Sequence, residues 1–208
     1  MEPRIKSRYC YNRKNLGRKK IKILNFITPP NNDKSGNFIS RQKFVLSSMK
    51  GIEGNQVLDV GQPNRFGKEL GEIYGVDIVN TRGDLDTAFV INSVTENFMV
   101  VWIFEVIEHL KNPDLFLRKI KTVCAPNARI FVTYPYHRLR KYWNNNHFHE
   151  MDLNRFVTLI NGAGYKIVDY KHMVVRSSLC NCFKGFRPIV RYLFGACHNY
   201  YFELRRIN

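Results

Sequence analysis

Three short apolar runs, Gln56 to Val60, Phe98 to Phe104 and Ala128 to Tyr134, constrain the fold of this chain more than any other feature. Each is too short for a buried helix and rich in β-branched or aromatic residues, as expected of strands covered on both faces. Helical stretches fall between them. Phe66 to Leu70 reads as a helix ended by Gly71, followed by a second strand over Ile73 to Ile78. Asn112-Pro113-Asp114 is a helix start, with an N-cap side chain, proline at the first helical position and an acid in the first turn. That helix runs through Phe116, Leu117, Ile120 and Val123 to about Cys124, and Pro126-Asn127 stops it.

A helix over Met151 to Asn161, closed by Gly162-Ala163-Gly164, precedes a strand from Tyr165 to Val175 whose second half is expected at an exposed edge. Tyr200 to Ile207 has strand composition and reads as the antiparallel strand that closes the sheet. Strands alternating with helices predict an α/β, mostly parallel sheet with right-handed crossovers. Asp77 and Val100 are only twenty-three positions apart, too few for a helix, a strand and two loops, so the region after the second strand is shortened and a helix is missing or reduced.

With 208 residues, the chain suits one domain. Residues 1–37 are expected to form a basic arm and a turn-rich linker, 38–208 the domain, and 176–197 an insertion before the last strand. Residues 1–22 carry nine basic side chains against the single acid Glu2, which suits either a solvated tail or a grip on a polyanion. Phe38, Ile39, Phe44, Val45 and Met49 suit an amphipathic helix at the start of the domain. The formal charge of +16 attracts anionic partners, with nucleic acid, anionic lipid headgroups and phosphorylated glycan carriers all open. There is no apolar stretch of about eighteen residues and no secretory signal, and the five cysteines are odd in number. These features point to a cytoplasmic protein with free thiols. Phe183, Phe186, Ile189, Val190, Leu193 and Phe194, interleaved with Lys184, Arg187 and Arg191, leave open a peripheral contact at the inner face of the membrane, or packing on the domain itself.

In an open α/β sheet a ligand lies at the carboxyl ends of the strands. Val57-Leu58-Asp59-Val60-Gly61 supplies the turn that must approach it, because Gly61 admits a close backbone and the next helix offers unpaired N–H groups. Asp77, expected to end the second strand, offers a carboxylate to both hydroxyls of a ribose. The most specific string is Phe104-Glu105-Val106-Ile107-Glu108-His109-Leu110. Its imidazole, with an ordinary pKa of about 6.5, can take a proton from a hydroxyl. His109 as a structural residue at a helix start is the competing reading.

These strings resemble class I S-adenosylmethionine-dependent methyltransferases of the E-V-L-E-H-L type, similar to ubiquinone-pathway and glycan or small-molecule enzymes. The resemblance covers about Val57 to Asp169, through Arg129-Ile130-Phe131-Val132-Thr133-Tyr134-Pro135 and His147-Phe148-His149-Glu150. The family's first motif is an acid, a residue, then G-x-G-x-G. This chain keeps Asp59 and Gly61 but has Pro63 and Arg65 at the later glycines, with Gly67 beyond.

The resemblance implies a single Rossmann-like domain that binds S-adenosylmethionine through Asp59, Gly61, Pro63, Asp77, Ile78, Phe104 and Glu105. Glu105 would lie beside the methionine portion, and Asp84 and Leu85 of Gly83-Asp84-Leu85 would flank the adenine. His109 or His149 would act as base, without a metal, in methyl transfer to an O or N nucleophile of a small molecule or saccharide.

Two alternatives remain at this point. Small-RNA 3′-terminal 2′-O-methyltransferases, like some ubiquinone-pathway enzymes, hold a divalent cation on an E-x-x-E-H string. Glu105, Glu108 and His109 fit it, with His147 or His149 completing it, and Tyr134, Tyr136, His137, Arg138, Arg140, Lys141, Tyr142 and Trp143 would face RNA. The other alternative is a non-catalytic binding module that lost its glycines.

Overall fold

The computed structural model describes residues 45–53, 55–91, 97–137, 145–174 and 198–207. The elements run β1 (Gln56–Asp59), α1 (Arg65–Tyr74), β2 (Asp77–Asp84), β3 (Ala88–Ile91), β4 (Phe98–Phe104), a 3-10 turn (Ile107–His109), α2 (Pro113–Val123), β5 (Cys124–Pro135), α3 (Leu153–Gly162), β6 (Tyr165–Val174) and β7 (His198–Arg206). The strands form one seven-stranded sheet in the order β3-β2-β1-β4-β5-β7-β6. β1, β2, β4 and β5 are parallel neighbours, while β3 and β7 run against theirs. This is the Rossmann-like sheet anticipated. β7 lies between β5 and β6, which makes β6 the edge strand.

The central strands are apolar on both faces because both faces are covered. Val57, Val100, Trp102 and Phe131 turn to one side, against Val45, Met49, Ile52 and Leu70. Their neighbours Leu58, Val101, Ile103, Ile130 and Val132 turn to the other, against Phe116, Leu117, Ile120, Phe156 and Ile160. The period of two explains why the runs read as continuous hydrophobicity. Each such side chain contributes about 1.5–3 kcal/mol on burial.

Several boundaries differ from expectation for identifiable reasons. α1 passes through Gly71 and stops at Gly75, whose φ of 62° is the left-handed cap. Gly71 instead permits close approach to the sheet, since a Cβ there would lie 2.6 Å from Ile78 Cδ1. Ile73 and Tyr74 are therefore helical, and β2 starts only at Asp77. α2 ends at Val123, and Cys124, buried and reduced, opens β5 with Pro126 inside it, near an irregularity in the pairing with β4. α3 starts at Leu153 because Asp152 caps it, its Oδ1 accepting the Arg155 N–H at 2.9 Å.

The shortened region is a hairpin. β2 turns at Gly83 (φ 93°) and Asp84 directly into the antiparallel β3, with no helix between. At the tip, Asp86 accepts the backbone N–H groups of Lys111 and Asn112 at 2.8 and 2.9 Å, which ties the hairpin to the start of α2. The basic arm, the 176–197 insertion with its apolar basic segment, and the loop carrying Arg138, Arg140, Lys141, Tyr142 and Trp143 lie outside the described residues. Residues 45–48, inside the expected amphipathic helix, are helical. Among the described residues, no helix is long and apolar enough to cross a membrane.

Candidate active site

The carboxyl ends of β1 and β2 form a compact polar knot. Asp59 is 3% exposed. Asn80 Nδ2 donates to its backbone oxygen (2.9 Å) and to Oδ2 (3.3 Å), and Asn64 Nδ2 reaches Oδ2 at 3.4 Å. Burial pushes the carboxyl up to about 6, partly countered by the two amides. Gly67 explains how α1 fits against it, because a Cβ there would collide with Asp59 Oδ2. Asn64 caps the helix by accepting the Gly67 N–H at 2.9 Å.

Gly61, at φ 115°, donates its N–H to Thr81 Oγ1 (2.8 Å), and the space a Cβ would occupy there is open. An open backbone of this kind fits the close approach of a nucleotide cofactor. Arg65, standing where the family has a glycine, pairs with Glu69 at 2.6 Å along the helix. Pro63 lines a groove of about 560 Å³ beside α1, with Asp59, Asn64 and Asn80. A right-handed crossover from β2 outward would place its helix on this same face. The hairpin leaves that face open.

Asp77 and Ile78 line the same groove as Asp59 and Pro63, and what the structure corrects is the place of Asp77 in its strand. Asp77 begins β2, paired with Gln56, and lies four residues before Thr81, about 13 Å along the strand. Asp77 is thus the first residue of β2, not its last. Ile78 packs under Gly71. Asp84 shapes the hairpin turn, accepting the Asp86 N–H (2.9 Å) and the Thr87 hydroxyl (3.1 Å), and these bonds lower its pKa. Leu85 packs half-buried on the α2 side of the sheet.

At the end of β4, Phe104 meets the Phe66 ring edge-on at 5.6 Å. Glu105 follows with φ 56°, the one positive φ outside glycine among the described residues. Such backbone persists only where surrounding bonds hold it. Here the Glu105 N–H donates to Thr133 Oγ1 (3.0 Å), and Oε1 accepts from Asn199 Nδ2 (2.6 Å).

The 3-10 turn then gathers Glu108, His109 and His147, whose ligand-type atoms all lie within 4.8 Å of one another. Glu108 is fully buried, and its backbone oxygen accepts the N–H groups of Phe148 and His149. His109 Nδ1 is 2.9 Å from the Asn146 carbonyl, which can only accept, so Nδ1 carries the proton and Nε2 keeps a lone pair. His147 Nδ1 is held in the same way by the buried carboxylate of Glu150, at 2.6 Å. The two rings meet edge to face at 4.7 Å.

Two Nε2 lone pairs beside a buried carboxylate can take a proton, and by donor type they fit a divalent cation. Glu105, turned to Asn199, and His149, whose Nε2 contacts the Lys111 carbonyl at 3.3 Å, do not join this group. The second base candidate, His149, is thus apart from His109, and His147 is the imidazole beside it. Sequence reading missed Asn80, Thr81, Asp86 and Asn199. The polar pair Asn80-Thr81 and the second acid of Asp84-Leu85-Asp86 were visible signals, whereas Asn199 had none.

Residues 48–183 match a family described as a methyltransferase domain. The fold is similar to an S-adenosylmethionine-dependent methyltransferase from Aquifex aeolicus, with TM-score 0.60 and 13% identity over 90% of this chain and 98% of that one. It is also similar to one from Mesorhizobium loti (TM-score 0.56, 9% identity, 80% and 98% covered). A third is phosphoethanolamine N-methyltransferase 2 of Haemonchus contortus in complex with S-adenosyl-L-methionine (TM-score 0.57, 12% identity, 80% and 52% covered). No curated protein matches the chain. Because the family match spans well over half the sequence, the chain belongs to the methyltransferase-domain family.

Proposed function

We propose that the protein methylates an O or N nucleophile of a small molecule or saccharide, with His109 as the base. The observation that carries this reading is the tautomer set by Asn146, which leaves Nε2 of His109 to accept a proton four residues after Glu105. The cofactor supplies a methyl group on a positively charged sulfur. Gly61, Asp59 and Pro63 hold the nucleoside side through backbone approach and a buried carboxyl. Phe104 and Glu105 meet the methionine side. With the donor bound, His109 Nε2 would take the acceptor's proton as the methyl group moves to the acceptor's lone pair. Alignment supplies much of the acceleration, with the base adding about 100-fold or more. Beyond β5, the rings of Tyr136, His172 and Tyr200 lie 5.5 Å apart pairwise, an aromatic cluster of the type that accompanies sugars or planar rings.

Calorimetry with S-adenosylmethionine and S-adenosylhomocysteine tests the donor side. Heat on binding, followed by label transfer from the methyl donor to a panel of hydroxyl and amine acceptors, supports the reading. No heat at millimolar ligand replaces it with a non-catalytic binding module.

One observation favours a second reading. Glu108, His109 and His147 would hold a divalent cation, whose Lewis acidity would act on a ribose 2′-hydroxyl, and the charge of +16 suits RNA. Methyl incorporation into short RNAs, with and without chelator, decides it. Metal independence together with inert RNA removes this alternative.

A further inference from the structure

The turn that carries His109 is held at its far end by a residue of the β2–β3 hairpin. His109 and Leu110 donate their backbone N–H groups within the turn, to the Val106 and Ile107 carbonyls at 3.0 and 3.3 Å. The next two N–H groups, of Lys111 and Asn112, leave the turn. Asp86 takes both, its Oδ1 accepting them at 2.8 and 2.9 Å while Oδ2 lies 3.0 Å from the first. A carboxylate on two peptide N–H groups is a stronger tie than a neutral acceptor would make. Asp86 is itself fixed, because Asp84 accepts its backbone N–H at 2.9 Å and the Lys119 ammonium donates to the carbonyl of the next residue, Thr87. The Lys111 peptide is also held from its other side, where its carbonyl faces His149 Nε2 at 3.3 Å. A carbonyl only accepts, so this ring nitrogen carries the proton. The His149 backbone returns to the turn, donating to the Glu108 carbonyl at 3.2 Å.

We propose that Asp86 is a positioning residue for the acceptor side. By holding the Lys111 peptide, it sets the place of the His109 ring two positions earlier and the tautomer of His149 across the loop. The inference rests on the reading of His109 as the base. Capping α2 is a separate task, done by Asn112, whose Oδ1 accepts the Leu115 N–H at 3.2 Å. The hairpin thereby touches the Gly61 turn through Thr81 and the His109 turn through Asp86.

The experiment reads the imidazoles by NMR of protein labelled at its histidine nitrogens, in mildly alkaline buffer, for the wild type, Asp86→Ala, Asp86→Asn and Asn112→Ala. The wild type should show the proton of His109 on Nδ1 and that of His149 on Nε2. Asp86→Ala should move both rings toward a mixture of tautomers, lowering the preference of His149 about fivefold, as expected for the loss of one neutral hydrogen bond. His172, on β6, should stay as it is. Asp86→Asn keeps an oxygen for both N–H groups and should restore the wild-type spectrum. Asn112→Ala should lower the melting temperature and leave both rings unmoved. Affinity for S-adenosylhomocysteine should hold within about twofold throughout. If the alanine variant fails to fold, Asp86→Ser, whose shorter side chain withdraws the carboxylate, takes its place. Unmoved rings in the variant at 86, equal movement in Asn112→Ala, or a roughly tenfold loss of S-adenosylhomocysteine affinity overturns the proposal. Full methyl transfer by His109→Ala overturns the reading of His109 as the base and leaves the positioning to stand on the spectra.

Discussion

The two sides of the sheet hold their polar groups in different ways. On the β1–α1–β2 side, the turn has lost two of its glycines, the crossover helix has become a hairpin, and the groove beside α1 is open. What remains there is backbone geometry: a cradle at Gly61, a helix brought in by Gly67 and a buried acid between two amides. On the β4–β5–β7 side, side chains carry the specification, from the Glu105–Asn199 bond to the imidazoles oriented by Asn146 and Glu150. A cofactor common to many acceptors can be held largely by main chain, whereas orientation of a proton acceptor requires particular side chains. The departed glycine motif thus stands beside a backbone that is still open at Gly61.

The sharpest way to break this comparison is on the side-chain half. His109→Ala should lower kcat about 100-fold while S-adenosylmethionine affinity holds. Single-turnover methyl transfer beside calorimetry checks it, and an unchanged kcat would reduce His109 to a structural residue. On the backbone half, Gly67→Ala forces a methyl group against Asp59 and should cost about 1–3 kcal/mol, read by urea unfolding. A wild-type melt would mean that Asp59 swings aside.

Asp59 itself gives a pH test. Its carboxyl rises from 3.8 to about 6 on folding, so between those values the native state binds more protons than the unfolded chain. Stability from this group is full below pH 3.8 and is lost as pH rises through about 6. Asp59→Asn should flatten that fall in melts across the window, and an unaltered slope would refute the assignment. The smallest effect expected is at Asp77. Asp77→Asn should leave donor affinity within about twofold, because Asp77 pairs with Gln56 at the start of β1, about 10 Å along the strand from Asp59. A loss of about tenfold would return Asp77 to the ribose.

Much of the fold was legible because its signals are local. β4 spans the predicted run, and α2 starts at the cap and proline that announced it. Gly71 was misleading because a glycine that faces a sheet and a glycine that ends a helix look alike in sequence. Ending α1 there moved β2 toward the N-terminus, which made Asp77 look like the last residue of a strand that it begins. The Glu105 to His109 string was readable as chemistry, since all of it lies within one turn. Which histidine joins it was not. His147 and His149 are two residues apart on an irregular loop, and only the bonds to Glu150 and to the Lys111 carbonyl separate their roles. Asn199 meets Glu105 through sheet order, which depends on contacts far apart in the chain.

The insertion of β7 between β5 and β6 also has a meaning in time. During synthesis β6 leaves the ribosome before β7, its one sheet partner among the described residues. The strand that completes the sheet is also the one that delivers Asn199 to Glu105. Formation of the Glu105–Asn199 bond is thereby coupled to closure of the sheet, and a partly made chain carries the acid without this amide.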